Sequence, residues 1–312
     1  MPITREFGTC WEVSGSGPAL VLVHGLGLNR QTWRWVRPSL EREFRVLTYD
    51  FPGHGQTPPR SAEQGLFLED LIAQLEEVVE AAGFGTFLLA GFSLGGHVAQ
   101  AFTLANPARI SALAVLHSAC GRTLQERSAI EQRMLAAIAG GPGPLVPTAL
   151  QRWFTPAFGA AHPEVLEEVG GWVSATDPRS FSAAYGILCE ADDRLTPRLG
   201  GIGCPALVVT GDEDHGNSPA MARRMADAIP GAECAILPGL RHMALAEDPG
   251  AVLMSCSHFS RLIQVAIRVR NEPRPRRVND GFLAHRGAAA PDRQCPQLRP
   301  QGVAASRGCC RA

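Results

Sequence analysis

The sequence lacks any apolar run long enough to cross a bilayer, and aromatic residues make up only 6% of its 312 residues. A membrane helix needs about 20 consecutive apolar residues, so no membrane association is expected. The formal net charge is −1, and a nearly neutral chain with few aromatics gives no support for nucleic-acid binding. We therefore expect the partner to be a small molecule, with neither nucleic acid nor membrane involved.

Before residue 260 the sequence also lacks cysteines paired at zinc or redox spacing, and we expect no secretory leader. The chain contains nine cysteines, and those before residue 260 are scattered singly, with none at the spacing of a zinc or redox pair. Residues 1–13 have neither a basic start nor an uninterrupted apolar stretch. No dinucleotide-binding glycine pattern follows the first strand, and the acids and histidines are not at ligand spacing. The expectation is a cytoplasmic protein with reduced thiols, no metal and no cofactor.

Charge is distributed unevenly along the chain. Residues 261–312 hold eleven arginines and three acids, a net charge of +8, whereas residues 1–260 have a net charge of −9. The end of the chain is rich in Pro, Gly and Arg and has no periodic apolar pattern, so it offers little surface to bury. We predict a disordered basic tail over residues 268–312.

Short apolar runs alternate with helical patterns up to residue 120, which is typical of a mainly parallel sheet flanked by helices. Between residues 121 and 195 the pattern becomes helical and is interrupted by Gly and Pro. The alternation then resumes and ends in an amphipathic helix predicted from Pro249 to Ile267. The predicted organisation is an α/β core over residues 1–120 and 196–267, with an inserted helical cap over residues 121–195.

The strongest local motif is GFSLG at residues 91–95, between the strand-like run TFLLAG and a helix that begins near Leu94. A sharp turn from strand to helix exposes the Ser93 hydroxyl above the sheet, and the flanking glycines remove side chains that would collide. The helix N-terminus favours negative charge at the same point. The pattern predicts that Ser93 is a nucleophile.

A serine nucleophile needs a histidine base that is oriented by a carboxylate. Asp214 follows the strand PALVVTG and His242 follows the strand AECAILPG, in the chain order Ser, Asp, His. We assign Asp214 as the acid and His242 as the general base. Asp212 and Glu213 remain alternatives for the acid, and His215 and His258 are weaker rivals for the base.

Such a reaction also needs backbone donors for the developing oxyanion. The loop His24-Gly25-Leu26-Gly27 follows the first apolar strand, and its glycines allow close approach. We expect the amides of Leu26 and Leu94 to form this oxyanion hole, and we expect His24 to be structural.

Together, the segments HGLG, DFPGHG, GFSLGG, GDED and RHM resemble the α/β-hydrolase superfamily from about residue 20 to about residue 260. The stretch from Arg152 to Arg194 is similar to the cap of 3-oxoadipate enol-lactonases. This resemblance implies a serine hydrolase that opens a small carboxylate-bearing lactone or ester through an acyl-enzyme. Carbon-carbon bond hydrolases, general carboxylesterases, haloperoxidase-like enzymes and a non-catalytic receptor remain alternatives. Ser93 disfavours the members that use Asp at the elbow, which are haloalkane dehalogenases and epoxide hydrolases.

A small lactone offers little contact area, so selectivity requires a tight apolar wall and one charge-assisted contact. We expect the wall to come from aromatic residues of the cap and the contact from one arginine. Trp153, Phe154 and Arg152 are assigned to substrate binding. The wider candidates are Phe158, Trp172 and Tyr185 for the wall, and Arg133 and Arg179 for the charge.

Overall fold

The computed structural model describes Thr4, residues 8–61 and residues 63–256. The predicted tail over residues 268–312, the end of the last predicted helix and the rival base His258 lie outside these residues. All described residues belong to the unit Met1–Asn271. Within them, no helix combines the length and the apolar character that spanning a bilayer requires.

A single seven-stranded sheet forms the centre of the described chain, with the strand order β1-β3-β2-β4-β5-β6-β7. All neighbouring pairs are parallel except β1 and β3. The mainly parallel sheet that we predicted is therefore confirmed. The strands are β1 (Trp11–Gly15), β2 (Ala19–Val23), β3 (Arg45–Tyr49), β4 (Phe87–Phe92), β5 (Ile110–Leu116), β6 (Ala206–Gly211) and β7 (Glu233–Leu237).

Strand β1 is an element that the sequence analysis missed. It pairs antiparallel with β3 at the edge of the sheet, with Trp11 opposite Tyr49 and Gly15 opposite Arg45. Its residues are only half-buried or exposed, because an edge strand has one side towards solvent. A short half-buried strand carries a weak apolar pattern, whereas every residue of the central strand β4 is buried.

Helices cover the sheet, and their apolar spacing explains which face they bury. In α2, the buried positions include Leu68, Leu71, Leu75 and Val78, which recur every three or four residues and so form one stripe. The helices are α1 (Arg37–Leu40), α2 (Leu68–Ala81), α3 (Leu94–Ala105), α4 (Leu124–Gly140), α5 (Val146–Trp153), α6 (Pro156–Ala161), α7 (Pro163–Ser174), α8 (Pro178–Leu195), α9 (Pro219–Ala228) and α10 (Ala244–Glu247). Residues 249–256 are also helical.

Five helices, α4 to α8, lie between the last residue of β5 and the first of β6. Helix α4 begins with a reciprocal cap, in which the Thr123 side chain accepts from the Glu126 amide and the Glu126 carboxylate accepts from the Thr123 amide at 2.7 Å. The Met243 amide donates to the Trp153 carbonyl at 2.9 Å. This bond fixes the end of α5 beside the loop that follows β7. The division into core and cap at residues 121 and 195 stays a prediction.

Candidate active site

Ser93 is the single residue between β4 and α3. Its backbone has φ 56° and ψ −115°, in the left-handed half of conformational space that a non-glycine residue rarely adopts. The Ser93 amide donates to the Leu116 carbonyl at 2.8 Å, and its carbonyl accepts from the Gly96 amide at 2.9 Å. The turn is thus fixed from both sides, which is how a strained nucleophile elbow is held.

Both positions of the motif require glycine because no space is left there for a side chain. A Cβ on Gly91 would lie 2.1 Å from the Gly95 carbonyl oxygen, and a Cβ on Gly95 would lie 2.3 Å from the Val23 carbonyl oxygen. Both contacts are to backbone atoms, which cannot move aside cheaply. Only glycine therefore allows strand β4, helix α3 and the end of β2 to come this close.

His242 and Asp214 are in direct contact, as the sequence predicted. The His242 Nδ1 lies 2.7 Å from Asp214 Oδ2, and both side chains are buried. The other carboxylate oxygen, Oδ1, accepts from the amides of Gly216 and Asn217, each at 3.0 Å. With its Nδ1 bonded to the carboxylate, His242 has Nε2 as the ring nitrogen available for proton transfer.

Burial alone would raise the pKa of Asp214, but the charge of His242 and the hydrogen bonds from His117 and His242 outweigh it. The pKa of this carboxyl therefore lies well below its usual range. Asp214 stays ionised throughout the neutral range, which is what an orienting carboxylate requires.

His117 belongs to this network, and the sequence analysis missed it. Its Nδ1 donates to the same Asp214 oxygen at 2.9 Å, and the whole side chain is buried. Burial lowers the pKa of His117, only partly opposed by its bond to Asp214, so it donates as a neutral imidazole. Its backbone, with φ 50°, is the other non-glycine residue in the left-handed region among the described residues.

The order of the strands in the sheet could have predicted the position of His117. Strand β5 lies between β4 and β6, the two strands that precede Ser93 and Asp214. The carboxyl ends of parallel strands meet at one edge of the sheet. The first residue after β5 must therefore lie between the nucleophile and the acid.

The rivals for the acid and base are placed elsewhere. Asp212 is exposed and accepts from the Gly239 amide at 2.7 Å, and Glu213 pairs with Arg241 at 3.3 Å. His215 is exposed. Among the described candidates, only Asp214 contacts His242.

Three potential metal ligands meet here, since atoms of His117, Asp214 and His242 lie within 4.8 Å of one another. Two ligands on a tetrahedral zinc ion are about 3.4 Å apart, as its ~2.1 Å bonds require. The contacts of 2.7 and 2.9 Å to one carboxylate oxygen are shorter than that. They fit two N–H donors sharing an acceptor better than a metal centre.

The loop after β2 lies directly against Ser93. A Cβ on Gly25 would be 3.1 Å from the Ser93 Cβ, and Leu26 lines the cavity that contains Ser93. Within the described residues, the amides of Leu26 and Leu94 have no hydrogen-bond acceptor. Two unpaired N–H groups beside a nucleophile are what an oxyanion hole consists of.

His24 holds the loop in place. Its Nδ1 donates to the Gly25 carbonyl at 2.7 Å and its Nε2 accepts from the Phe51 amide at 2.9 Å. Burial lowers the pKa of His24 to about 3. A permanently neutral histidine with both ring nitrogens occupied supports the loop and does not transfer protons.

A cavity with an empty volume of about 560 Å³, counting its open mouth, contains the candidate residues. Its walls come from the loop after β2, the Ser93 turn, the loop after β5, helices α4, α5 and α8, and the loops that contain Asp214 and His242. The lining residues are Leu26, Ser93, Arg122, Ile130, Arg133, Arg152, Trp153, Tyr185, Leu188, Asp214, Gly216, Asn217 and His242.

The expected substrate-binding residues are only partly in this cavity. Trp153 and Arg152 line it, and the Trp153 ring lies 5.9 Å from that of His242. Phe154 does not line it, which corrects our expectation. Helix α5 ends at Trp153 and the backbone of Phe154 is extended, so its ring turns away and stacks on Phe158 at 5.5 Å.

Of the wider candidates, Tyr185 and Arg133 line the cavity, whereas Phe158, Trp172 and Arg179 do not. The Trp172 ring lies 6.1 Å from that of Trp35, so this residue of α7 packs against the segment between β2 and β3. The sequence identified apolar cap residues but not which helix face they occupy, because that depends on how the cap helices pack.

A nucleophile turn, an acid and a histidine at the carboxyl edge of a mainly parallel sheet define the class of α/β-fold hydrolases. The chain belongs to the alpha/beta hydrolase family, whose family model matches residues 20–254. It is therefore a hydrolase.

Similar proteins include several hydrolases. An (E)-2-((N-methylformamido)methylene)succinate hydrolase of Acinetobacter baylyi is 29% identical over 240 residues, covering 76% of this chain and 88% of that protein. 3-oxoadipate enol-lactonase 2 of the same organism is 28% identical over 237 residues, covering 75% and 85%. A thermophilic esterase of Thermogutta terrifontis, solved with malate bound, aligns with a TM-score of 0.75 and 26% identity over 84% of this chain and 97% of that one.

Proposed function

We propose that this protein is a serine hydrolase that cleaves a small carboxylic ester or lactone through an acyl-enzyme. The observation that carries the proposal is the convergence of a strained Ser93 with the hydrogen-bonded pair His242 and Asp214 in one cavity. A lactone is a cyclic ester, so one mechanism serves both substrates.

Each residue has a defined role in that reaction. His242 Nε2 takes the proton of Ser93 Oγ as the oxygen attacks the carbonyl carbon, and Asp214 stabilises the imidazolium that forms. The amides of Leu26 and Leu94 donate to the oxyanion, each worth about 3 kcal/mol of transition-state stabilisation. His242 then returns the proton to the leaving oxygen. Water, activated in the same way, releases the acyl group.

Arg152 supplies the charge recognition in this proposal. It lines the cavity with Ser93, and a guanidinium binds a carboxylate through two parallel hydrogen bonds. The names of similar proteins support a carboxylate-bearing substrate, since one relative acts on a substituted succinate and another on an enol-lactone of oxoadipate.

The test measures initial rates of the full chain on four substrates: an unsaturated lactone carrying a carboxylate, its neutral methyl ester, an aryl ester and a ring-cleavage dienoate. We expect the acidic lactone or ester to have the highest kcat/KM. Arg152→Gln should reduce that value by about 10- to 100-fold on the acidic substrate and little on the neutral one.

The alternatives give different results in the same assay. Turnover of the dienoate alone would indicate a carbon-carbon bond hydrolase. Turnover of the aryl ester with no preference for the acidic substrate would indicate a general carboxylesterase. Tight binding without turnover would indicate a receptor on the same fold.

A further inference from the structure

Three arginines from three different parts of the chain line the cavity that contains Ser93. Arg122 lies in the loop between β5 and α4, Arg133 in α4 and Arg152 in α5. Among the described residues, Asp214 is the only acid in the lining, and both of its oxygens already accept hydrogen bonds within the network described above. Positive charge in the cavity therefore exceeds what its own acids compensate.

Arg122 has a structural role that accounts for its charge. Its guanidinium donates to the Leu188 carbonyl at 3.0 Å, which ties the loop to α8. Asp192 lies close enough to raise the pKa of Arg122 against the larger lowering by burial. The same carboxylate accepts from the amides of Gly121 and Arg122 at 2.6 and 2.7 Å. Arg122 is thus held and partly neutralised by the fold.

Arg152 has protein contacts but no acid partner. Its Nε donates to the Thr148 carbonyl at 3.2 Å, and its guanidinium contacts the Tyr185 hydroxyl. Within the described residues, no carboxylate lies within 4.0 Å of it. Arg152 can therefore receive one substrate carboxylate, as proposed above.

Neither the fold nor the binding of one substrate carboxylate explains why a third positive charge, that of Arg133, lies in this cavity. In the described part of the chain it has neither a hydrogen-bond acceptor nor an acid within 4.0 Å. Burial and the nearby charge of Arg152 lower the pKa of Arg133 to about 10. Both side chains are half-buried and line the same cavity, and two like charges in one cavity repel each other. A second negative charge would relieve that repulsion.

We propose that Arg133 forms a second anion-binding site in this cavity, and that the substrate is a dicarboxylate in addition to its ester or lactone group. Arg152 binds one carboxylate, Arg133 binds the other, and Arg122 adds positive potential behind them. Residues 1–260 have a net charge of −9, so the cavity is a local exception on an acidic body. This inference rests on the proposed function, because it names the substrate class of the same site.

The test measures binding without turnover. Succinate, glutarate and adipate, and the monomethyl ester of each, are titrated calorimetrically into the Ser93→Ala full chain. The three lengths sample different separations between the two carboxylates. We expect the best-fitting diacid to bind about 10- to 100-fold more tightly than its own monoester, because one charged contact is added.

Variants made in the Ser93→Ala background assign the contacts. Arg133→Gln should abolish the preference for the diacid and leave monoester binding within about threefold. Arg152→Gln should weaken both ligands, and Arg179→Gln, outside the cavity, should change neither. Arg133→Gln should also leave the thermal midpoint of the free protein unchanged or higher, since a repulsive charge is removed. Arg133→Lys, which keeps the charge, should retain part of the preference.

Two results would overturn the second site. One is equal affinity for diacid and monoester at all three lengths. The other is an equal loss for both ligands in Arg133→Gln, which would mean that both arginines hold one carboxylate. Neither result depends on Ser93 chemistry. Conversely, if the protein binds diacids but hydrolyses no ester or lactone, the second site is supported and the proposed function is rejected.

Discussion

Most of the candidate chemistry depends on a few single residues, and these differ in how readily the sequence predicts their place in the site. Ser93, Asp214 and His242 each follow a recognisable strand, so motif and order were enough to select them as candidates. His117 was missed because its contact with Asp214 depends on which strand lies between two others. Phe154 was misplaced because one residue past the end of α5 the chain direction changes.

At Asp214, we expect the substitution Asp214→Asn to lower kcat by about a thousandfold or more. The amide no longer holds the Nδ1–H tautomer of His242 or stabilises its charged form. Asp212→Asn is the matched control, because Asp212 is an exposed acid two positions earlier. Its kcat should stay within about threefold of the wild type. Steady-state rates of the two variants decide the assignment, and equal losses would reject it.

The elements of secondary structure explain why these residues meet. The central strands β4, β5 and β6 are parallel and buried on both faces. They appear in the sequence as nearly continuous apolar runs, and this is why the core was predictable. The edge strand β1 is only half-buried, and it was not predicted. The helical segments between β5 and β6 could be predicted, but their orientation over the cavity could not, because it arises from contacts distant in sequence.

The junction of β4 and α3 should tolerate no side chain at its glycines. We expect Gly91→Ala to reduce the free energy of unfolding by about 3 kcal/mol or more, because its Cβ would meet the Gly95 carbonyl oxygen. Gly85→Ala is the control two residues before β4, where nothing lies within 4 Å of an added Cβ. It should change stability by less than about 0.5 kcal/mol. Denaturant titration measures both, and similar values for the two would contradict the packing described here.

At the scale of the whole molecule, several buried histidines make the free energy of unfolding depend on pH. Burial lowers the pKa of His24 and of His54 to about 3, and that of His97 to about 4. At pH 5 these side chains are neutral in the folded protein, whereas in the unfolded chain, with a pKa near 6.5, they are protonated. Unfolding therefore takes up protons, and stability must fall as the pH decreases below about 6.5.

The expected loss is about 1.4 kcal/mol per pH unit for each such histidine between about pH 6 and pH 4. Denaturant unfolding at pH 7.5, 6 and 5 measures this slope. His54→Gln should reduce the slope by about one proton, since one titrating group is removed. A free energy of unfolding that is constant from pH 7.5 to pH 5 would show that these histidines are not held neutral.

The sheet also brings the site together over the whole chain, because Ser93, His117, Asp214 and His242 each follow a parallel strand at its carboxyl end. The central claim is that this arrangement makes Ser93 a nucleophile. The most direct measurement is labelling of the folded full chain with a fluorophosphonate, followed by peptide mass spectrometry. We predict a single adduct on Ser93 that is absent from Ser93→Ala and from the denatured wild type. No adduct on the folded wild type, or an adduct that persists in Ser93→Ala, would contradict it.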